Sequence, residues 1–198
     1  MKVMKFGGTS VGNPESLQLV KKIIESEKEP VIVVVSALDG ITDRLLLAAD
    51  FALNNNPGYK SLLDELVERH RNVIEKTITS TVAKEEVTIK ADQLFEELRN
   101  ILRGVYLIGD LSQKTSDKIV SYGERLSSLI VSKMIEGSQL YDSAKFIKTN
   151  KQFSHHIPDL NRSNELIKKT FSEMPPPNVA IVPGFISSSI EENDLTNI

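Results

Sequence analysis

The sequence predicts an α/β protein, a three-layer α/β/α sandwich built on a mainly parallel sheet. Three observations carry that prediction. Val31-Ile-Val-Val-Val35 is an unbroken β-branched run, the mark of a strand covered on both faces. Val3 to Phe6 is a shorter apolar strand, separated from that run by a glycine loop and a helical pattern, so the two form a βαβ unit. Val179-Ala-Ile-Val182 repeats the buried-strand pattern late in the chain, after several helical stretches.

The opening stretch, Lys2 to Gly12, orders the rest. Its strand runs into Gly7-Gly8-Thr9-Ser10, then Val11 and Gly12, with Asn13 placed to cap a helix and Pro14 suited to its first turn. Glycines let backbone approach a ligand closely, and free N–H groups at a helix start favour an anion. Two phosphate motifs almost fit here. Gly7 and Gly12 have Walker A spacing, but Asn13-Pro14 replaces the required Lys-Ser/Thr. The dinucleotide fingerprint fails because Gly7 and Gly8 are adjacent. Lys5, at the carboxyl end of the strand, would face the crevice where α/β sheets bind ligands. The competing interpretation is an ordinary βα turn beside an exposed lysine.

Helical spacing of Leu17, Val20, Ile23 and Ile24 predicts a helix from Pro14 towards Lys28, ended by Pro30. After the Val31–Val35 strand, Ser36 to Asp43 forms a second loop at a strand's carboxyl end. Ser36 and Thr42 bring hydroxyls there and Gly40 allows a tight backbone, although Thr42 or Asp39 could equally cap the helix expected over Leu45–Leu53. Asn54 to Gly58 is a turn cluster. Two long amphipathic segments follow, about Leu62–Ile78 and Lys84–Leu102, a helical excursion over roughly 57–104. His70 lies near the apolar stripe of the first and lacks a histidine four residues away, which argues for packing over metal binding.

Val105 to Leu111 is expected to be an apolar connection, followed by a helix over Ser116–Met134. Within that helix Ser121 and Glu124 have capping-box spacing. The alternative is that Gly123 admits a ligand and Glu124 faces its cationic group. Leu140–Asp142 and Phe146–Thr149 suggest short strands, Asn164–Phe171 a helix, His155-His156 a polar loop, and Pro175-Pro-Pro177 a stiff break. Pro183 to Ile186 leads into Ser187–Ser189, and Ile190–Ile198 is a polar, acidic stretch without a closing element.

Composition narrows the functional class. The 198 residues are 26 % charged and 40 % apolar with net charge −3, values of a globular protein and not of a nucleic-acid or anionic-membrane binder. There is no cysteine, hence neither disulfide nor thiolate metal site. No signal peptide or membrane span is legible, so a cytoplasmic location is expected.

Several stretches together resemble the aspartate kinases of the amino-acid kinase family. They are Lys5-Phe-Gly-Gly-Thr-Ser-Val11, Val33–Ala37 with Gly40-Ile-Thr42, Ser121-Tyr-Gly-Glu-Arg-Leu126, Phe146–Thr149 and Val182-Pro-Gly-Phe185. The opening is the most specific of them, the helical excursion is similar to that of the family, and the sequence as a whole most resembles the branch fused to a homoserine dehydrogenase. The resemblance implies the amino-acid kinase, carbamate kinase-like fold. It also implies transfer of the γ-phosphoryl group of ATP, with Mg²⁺, to the side-chain carboxylate of L-aspartate, at the entry to lysine, threonine and methionine synthesis. Carried over, Lys5 would balance charge on the transferring group as the catalytic residue. Gly7, Gly8 and Thr9, with Ser10 beside them, would hold phosphate oxygens. Ser36 and Thr42 would lie near aspartate, and Glu124 would take its α-ammonium. No residue is expected to ligate a metal directly. In the family, a Leu-Gly-Arg-Gly-Gly-Ser-Asp stretch follows Pro-Gly-Phe and a hairpin, and here Asp194–Ile198 stands where it would begin. The expectation is therefore an N-terminal, amino-acid-binding half, inactive by itself, from an enzyme that forms homo-oligomers. Another amino-acid kinase, acting on glutamate or acetylglutamate, and a non-catalytic assembly module are the alternatives.

Overall fold

The computed structural model describes residues 1–152, 155–172, 174, 178–191 and 194–198. Strand β1 (Lys2–Phe6) and β2 (Val31–Val35) are parallel, joined by helix α1 (Pro14–Glu25). The βαβ unit is thus as expected, including its start, where the Asn13 side chain accepts from the Ser16 N–H at 2.8 Å. Beyond β2 come α2 (Ile41–Leu53), α3 (Tyr59–Thr77), α4 (Thr81–Ile108) and α5 (Gln113–Met134). Then follow β3 (Gln139–Leu140), β4 (Lys148–Gln152), β5 (His155–Pro158), α6 (Leu160–Phe171), β6 (Val179–Pro183), β7 (Ile186–Ser189) and β8 (Leu195–Asn197).

The main sheet has the order β1-β2-β6-β3, all parallel. One face, with Val31, Val33, Val35 and Ile181, packs into a large core shared with α1 to α5. The other face, with Ile32, Ala180 and Val182, meets Phe146 and Phe171, the latter from α6. Helices therefore cover both faces, which is why the β2 run could be apolar throughout. A second sheet, order β5-β4-β7-β8, stands beside the first.

Four sequence expectations are corrected. The stretch from Val105 is no connection, because α4 continues to Ile108. Buried Leu102 and Val105 extend its apolar stripe past Gly104, and Gly109 ends it in the left-handed region at φ 69°. Helix α5 starts at Gln113 with Ser112 as its cap, so Ser121 is mid-helix and its hydroxyl donates back to the Lys118 carbonyl. His155 and His156 belong to strand β5, paired with β4. Ile190–Ile198 contains β8, which closes antiparallel on β7. Its burial was hidden because the interface is made of hydroxyls: Ser187 and Thr149 each hydrogen-bond Thr196, at 2.7 and 3.0 Å. The expected break at Pro175–Pro177 lies outside the described residues. Among those residues no helix is long and apolar enough to cross a membrane.

His70 is packed, as its position on the stripe implied. It is fully buried against the edge of Phe95, and one ring nitrogen meets the Leu66 carbonyl at 2.7 Å. Burial, reinforced by the charge of Arg69, pushes its pKa down to about 4 although the Leu66 hydrogen bond works the other way. The folded state thus binds fewer protons than the unfolded chain between the ordinary histidine value of 6.5 and about 4. Stability is complete above the upper value and falls as pH drops through this window, by about 3 kcal/mol in all. Urea unfolding at several pH values should show that loss in the native protein and not in His70→Leu. An identical slope in both would exclude His70 as its source.

Candidate functional site

Three loops leave the carboxyl ends of the adjacent parallel strands β1, β2 and β6, the place where open α/β sheets bind ligands. After β1, Gly8–Ser10 forms a short 3-10 turn in which the Ser10 N–H donates to the Gly7 carbonyl at 2.9 Å. After β2, the chain runs through Ser36 to Gly40, whose φ of 69° turns it into α2. Neither Thr42 nor Asp39 caps that helix: Gly40 occupies the cap position and no side chain bonds the helix start. The capping alternative is thereby removed, and Thr42 is free to face the site from the first turn. After β6, Phe185 adopts φ 63° and the Ile186 N–H donates across it to the Gly184 carbonyl at 2.7 Å. That is a γ-turn with positive φ at a bulky residue, a strained arrangement.

These loops and helix α5 enclose a cavity of about 260 Å³. Of the residues singled out from sequence, Gly8, Ser36, Thr42 and Glu124 line it together. Lys5, Gly7, Thr9 and Ser10 are not among the lining residues. Lys5 is exposed, one position from the core-packed Met4 and Phe6 and on the opposite face of β1. Sequence reasoning missed the contributions of Phe185 and of the Leu38–Asp39 backbone turn. The positive φ of Phe185 had no compositional signal, since only its neighbour is glycine.

Glu124 reaches the cavity because α5 packs closely on the loop after β2. A Cβ placed on Gly123 would lie 2.7 Å from the Ala37 Cβ, so only glycine permits this approach. The Ser127 hydroxyl fixes the same contact by donating to the Ser36 carbonyl at 2.7 Å. The Tyr122 hydroxyl, on α5, donates to Glu97 of α4 at 2.9 Å, and the Arg125 guanidinium lies 4.6 Å over the Tyr122 ring. Burial, with that hydrogen bond, pushes the Tyr122 pKa up to about 12.

Glu124 is only 5 % exposed. Its Oε1 accepts from the Ala37 N–H at 3.1 Å, while Oε2 has no hydrogen-bond partner among the described residues. Burial raises its pKa, partly offset by hydrogen bonds from the Ala37 and Glu124 backbone amides. A buried carboxylate with one oxygen unused, lining a small cavity, is suited to a hydrogen-bonding cation such as an ammonium group. The other charged lining residue is Asp39, so the cavity's own charge is wholly acidic. No group of three or more acidic or histidine side chains suited to a metal ion occurs among the described residues.

Comparison with known proteins agrees with this architecture. The amino acid kinase family model matches residues 1–198. The bifunctional aspartokinase/homoserine dehydrogenase 1, chloroplastic, of Zea mays is 29 % identical over 198 residues, covering 96 % of this chain and 21 % of the relative. The aspartokinase of Candida albicans is 36 % identical over 143 residues, 68 % of this chain and 26 % of its own length. The chain thus spans about a fifth to a quarter of these curated relatives. Among solved structures, E. coli aspartokinase III in complex with lysine and aspartate superposes with a TM-score of 0.85 at 25 % identity, covering 100 % of this chain and 43 % of that one. Its complex with aspartate and ADP gives 0.82 at 26 %, with the same coverage. By the family match along its whole length, with the parallel sheet and loop cluster that accompany it, the chain belongs to the amino acid kinase family.

Proposed function

We propose that this protein is an aspartate kinase, transferring the γ-phosphoryl group of ATP to the side-chain carboxylate of L-aspartate to give 4-phospho-L-aspartate. These 198 residues are the amino-acid-binding part of its kinase domain. The observation that carries the reading is buried Glu124 at the cavity, whose Oε2 has no hydrogen-bond partner among the described residues and in this reading takes the α-ammonium of the amino acid. The relatives named aspartokinase, and the solved complexes with aspartate and ADP, support the choice of substrates.

In this reading Ser36 and Thr42 offer hydroxyls to the bound amino acid, whose side chain extends towards the glycine loop. Gly8 fits that role: a Cβ there would be 3.3 Å from the Ala37 carbonyl oxygen, so the loop's backbone lies directly over the cavity wall. The amides of Gly7, Gly8 and Thr9, with Ser10, hold phosphoryl oxygens, and Lys5 balances their charge from the end of β1. ATP would supply the transferable phosphoryl group, and Mg²⁺ bound with it would supply neutralisation of phosphate charge. Little activation is required of the protein, because the accepting carboxylate is already ionised at neutral pH. The self-assembly usual for such enzymes, and entry into lysine, threonine and methionine synthesis, belong to the same proposal.

An N-acetylated amino acid has no cation for Glu124, which disfavours acetylglutamate as substrate. Calorimetry should therefore show binding of L-aspartate and none of N-acetyl-L-aspartate; equal binding of both would remove the ammonium contact. In the complete enzyme, Lys5→Ala should leave aspartate affinity nearly unchanged but lower kcat by about 10²-fold or more in an ATP–aspartate hydroxamate assay. An unaltered kcat would take Lys5 out of the mechanism.

A further inference from the structure

The helical excursion reaches the loops of the site through Arg69. Arg69, on α3, donates from Nη2 to the Gly12 carbonyl at 3.2 Å. Gly12 closes the glycine loop, just before the Asn13 cap of α1. The same guanidinium also borders the second loop: its Nη1 is 4.0 Å from where a Gly40 Cβ would stand. The two loops are pressed together between these contacts. A Cβ on Gly12 would fall 2.8 Å from the Asp39 Cβ, and one on Gly8 would fall 3.6 Å from the Asp39 Cα. Arg69 is partly buried, and α3 is itself held to α2 by the Arg44–Glu65 ion pair.

We propose that Arg69 is a positioning residue for phosphoryl transfer, a clamp from α3 that holds the glycine loop against the loop of residues 36–40. The proposal rests on the aspartate kinase reading and extends it to a residue outside the cavity. The physical reason is that glycine loops have little rigidity of their own. Gly7, Gly8 and Gly12 fall within six residues, and phosphoryl transfer depends on fixed donor geometry. A guanidinium can span two loops because its donors form a rigid planar fork; an ammonium makes one such contact less well. Glu124 comes from a different element, α5, so loss of the clamp should disturb the glycine loop more than the ammonium contact.

The test compares the complete enzyme that contains this chain with its Arg69→Met and Arg69→Lys variants, by amide hydrogen exchange and by the kinase assay. Arg69→Met should speed exchange of the amides in residues 7–12, and lower kcat by about tenfold while KM for L-aspartate stays within about twofold. Arg69→Lys should recover part of both effects, because it keeps one charged donor. Unchanged exchange and kcat in Arg69→Met would overturn the proposal. So would a parallel loss of kcat, aspartate affinity and melting temperature with Lys no better than Met, since that describes a merely structural arginine. If the complete enzyme that contains this chain does not phosphorylate aspartate, the functional reading fails, whereas the exchange comparison still decides whether Arg69 clamps the loop.

Discussion

Glu124→Gln should weaken L-aspartate binding by about 10²-fold and at the same time make the protein more stable. A factor of 100 is about 2.7 kcal/mol, within the range for removing one member of a buried, hydrogen-bonded charge pair. Glutamine keeps an oxygen for the Ala37 N–H, so the fold loses little. It also removes a buried carboxyl whose pKa is raised by desolvation. A carboxyl with a raised folded pKa binds protons more tightly in the folded than in the unfolded state. Stability therefore declines as pH rises above its ordinary value of 4.5, until the native group is fully ionised. Once ionised, the buried Glu124 carboxylate weighs against folding. The variant should accordingly melt at a higher temperature and lose that decline. In the native protein, aspartate affinity should fall at acid pH as Glu124 protonates. Calorimetry and thermal unfolding over a pH series read all of these. A Gln variant that binds aspartate normally would end the assignment of Glu124 to the ammonium. His70 acts in the opposite sense over the acid range, so the two slopes are separable with the single variants.

Gly123→Ala should reduce both stability and affinity through one contact. The added Cβ would stand 2.7 Å from the Ala37 Cβ, with Ile41 Cγ2 and Leu45 Cδ1 each at 3.5 Å, so α5 must retreat. Overpacking of this kind costs about 1–3 kcal/mol, from which the better helix propensity of alanine returns about 1 kcal/mol. A net loss of up to about 2 kcal/mol follows in urea unfolding. Because Glu124 is the next residue on the retreating helix, aspartate affinity should fall about tenfold. Pairing it with Ala37→Gly removes the clash and should restore both. A Gly123→Ala protein at native stability and affinity would show that the close approach of α5 to β2 is not what places Glu124.

Much of the frame was legible before any coordinates. The valine run of β2, the glycine loop with Asn13 and Pro14, and the stripes of α3 and α4 each depend on neighbours in the chain. Steric preference and periodicity report such local arrangements directly. The second sheet was not legible, because Thr149, Ser187 and Thr196 bury hydroxyls that satisfy one another and so look polar in sequence. Ser121 and Glu124 misled for a related reason: capping-box spacing is also the spacing of two residues on one face of a long helix.

The sequence by itself determined the parallel α/β frame and the loop at the end of β1, and it supplied the residues proposed to meet an amino acid and a phosphoryl group. Tertiary structure alone decided which of them meet. Ala37 and Glu124 are 87 positions apart, and Arg69 and Gly12 are 57 apart. It also decided that Glu124 Oε2 has no hydrogen-bond partner among the described residues, that Phe185 takes a left-handed turn and that Lys5 stands outside the cavity lining. The reason is physical: local periodicity encodes which way a residue faces, but the partner it faces, and the water it loses there, depend on how distant elements pack.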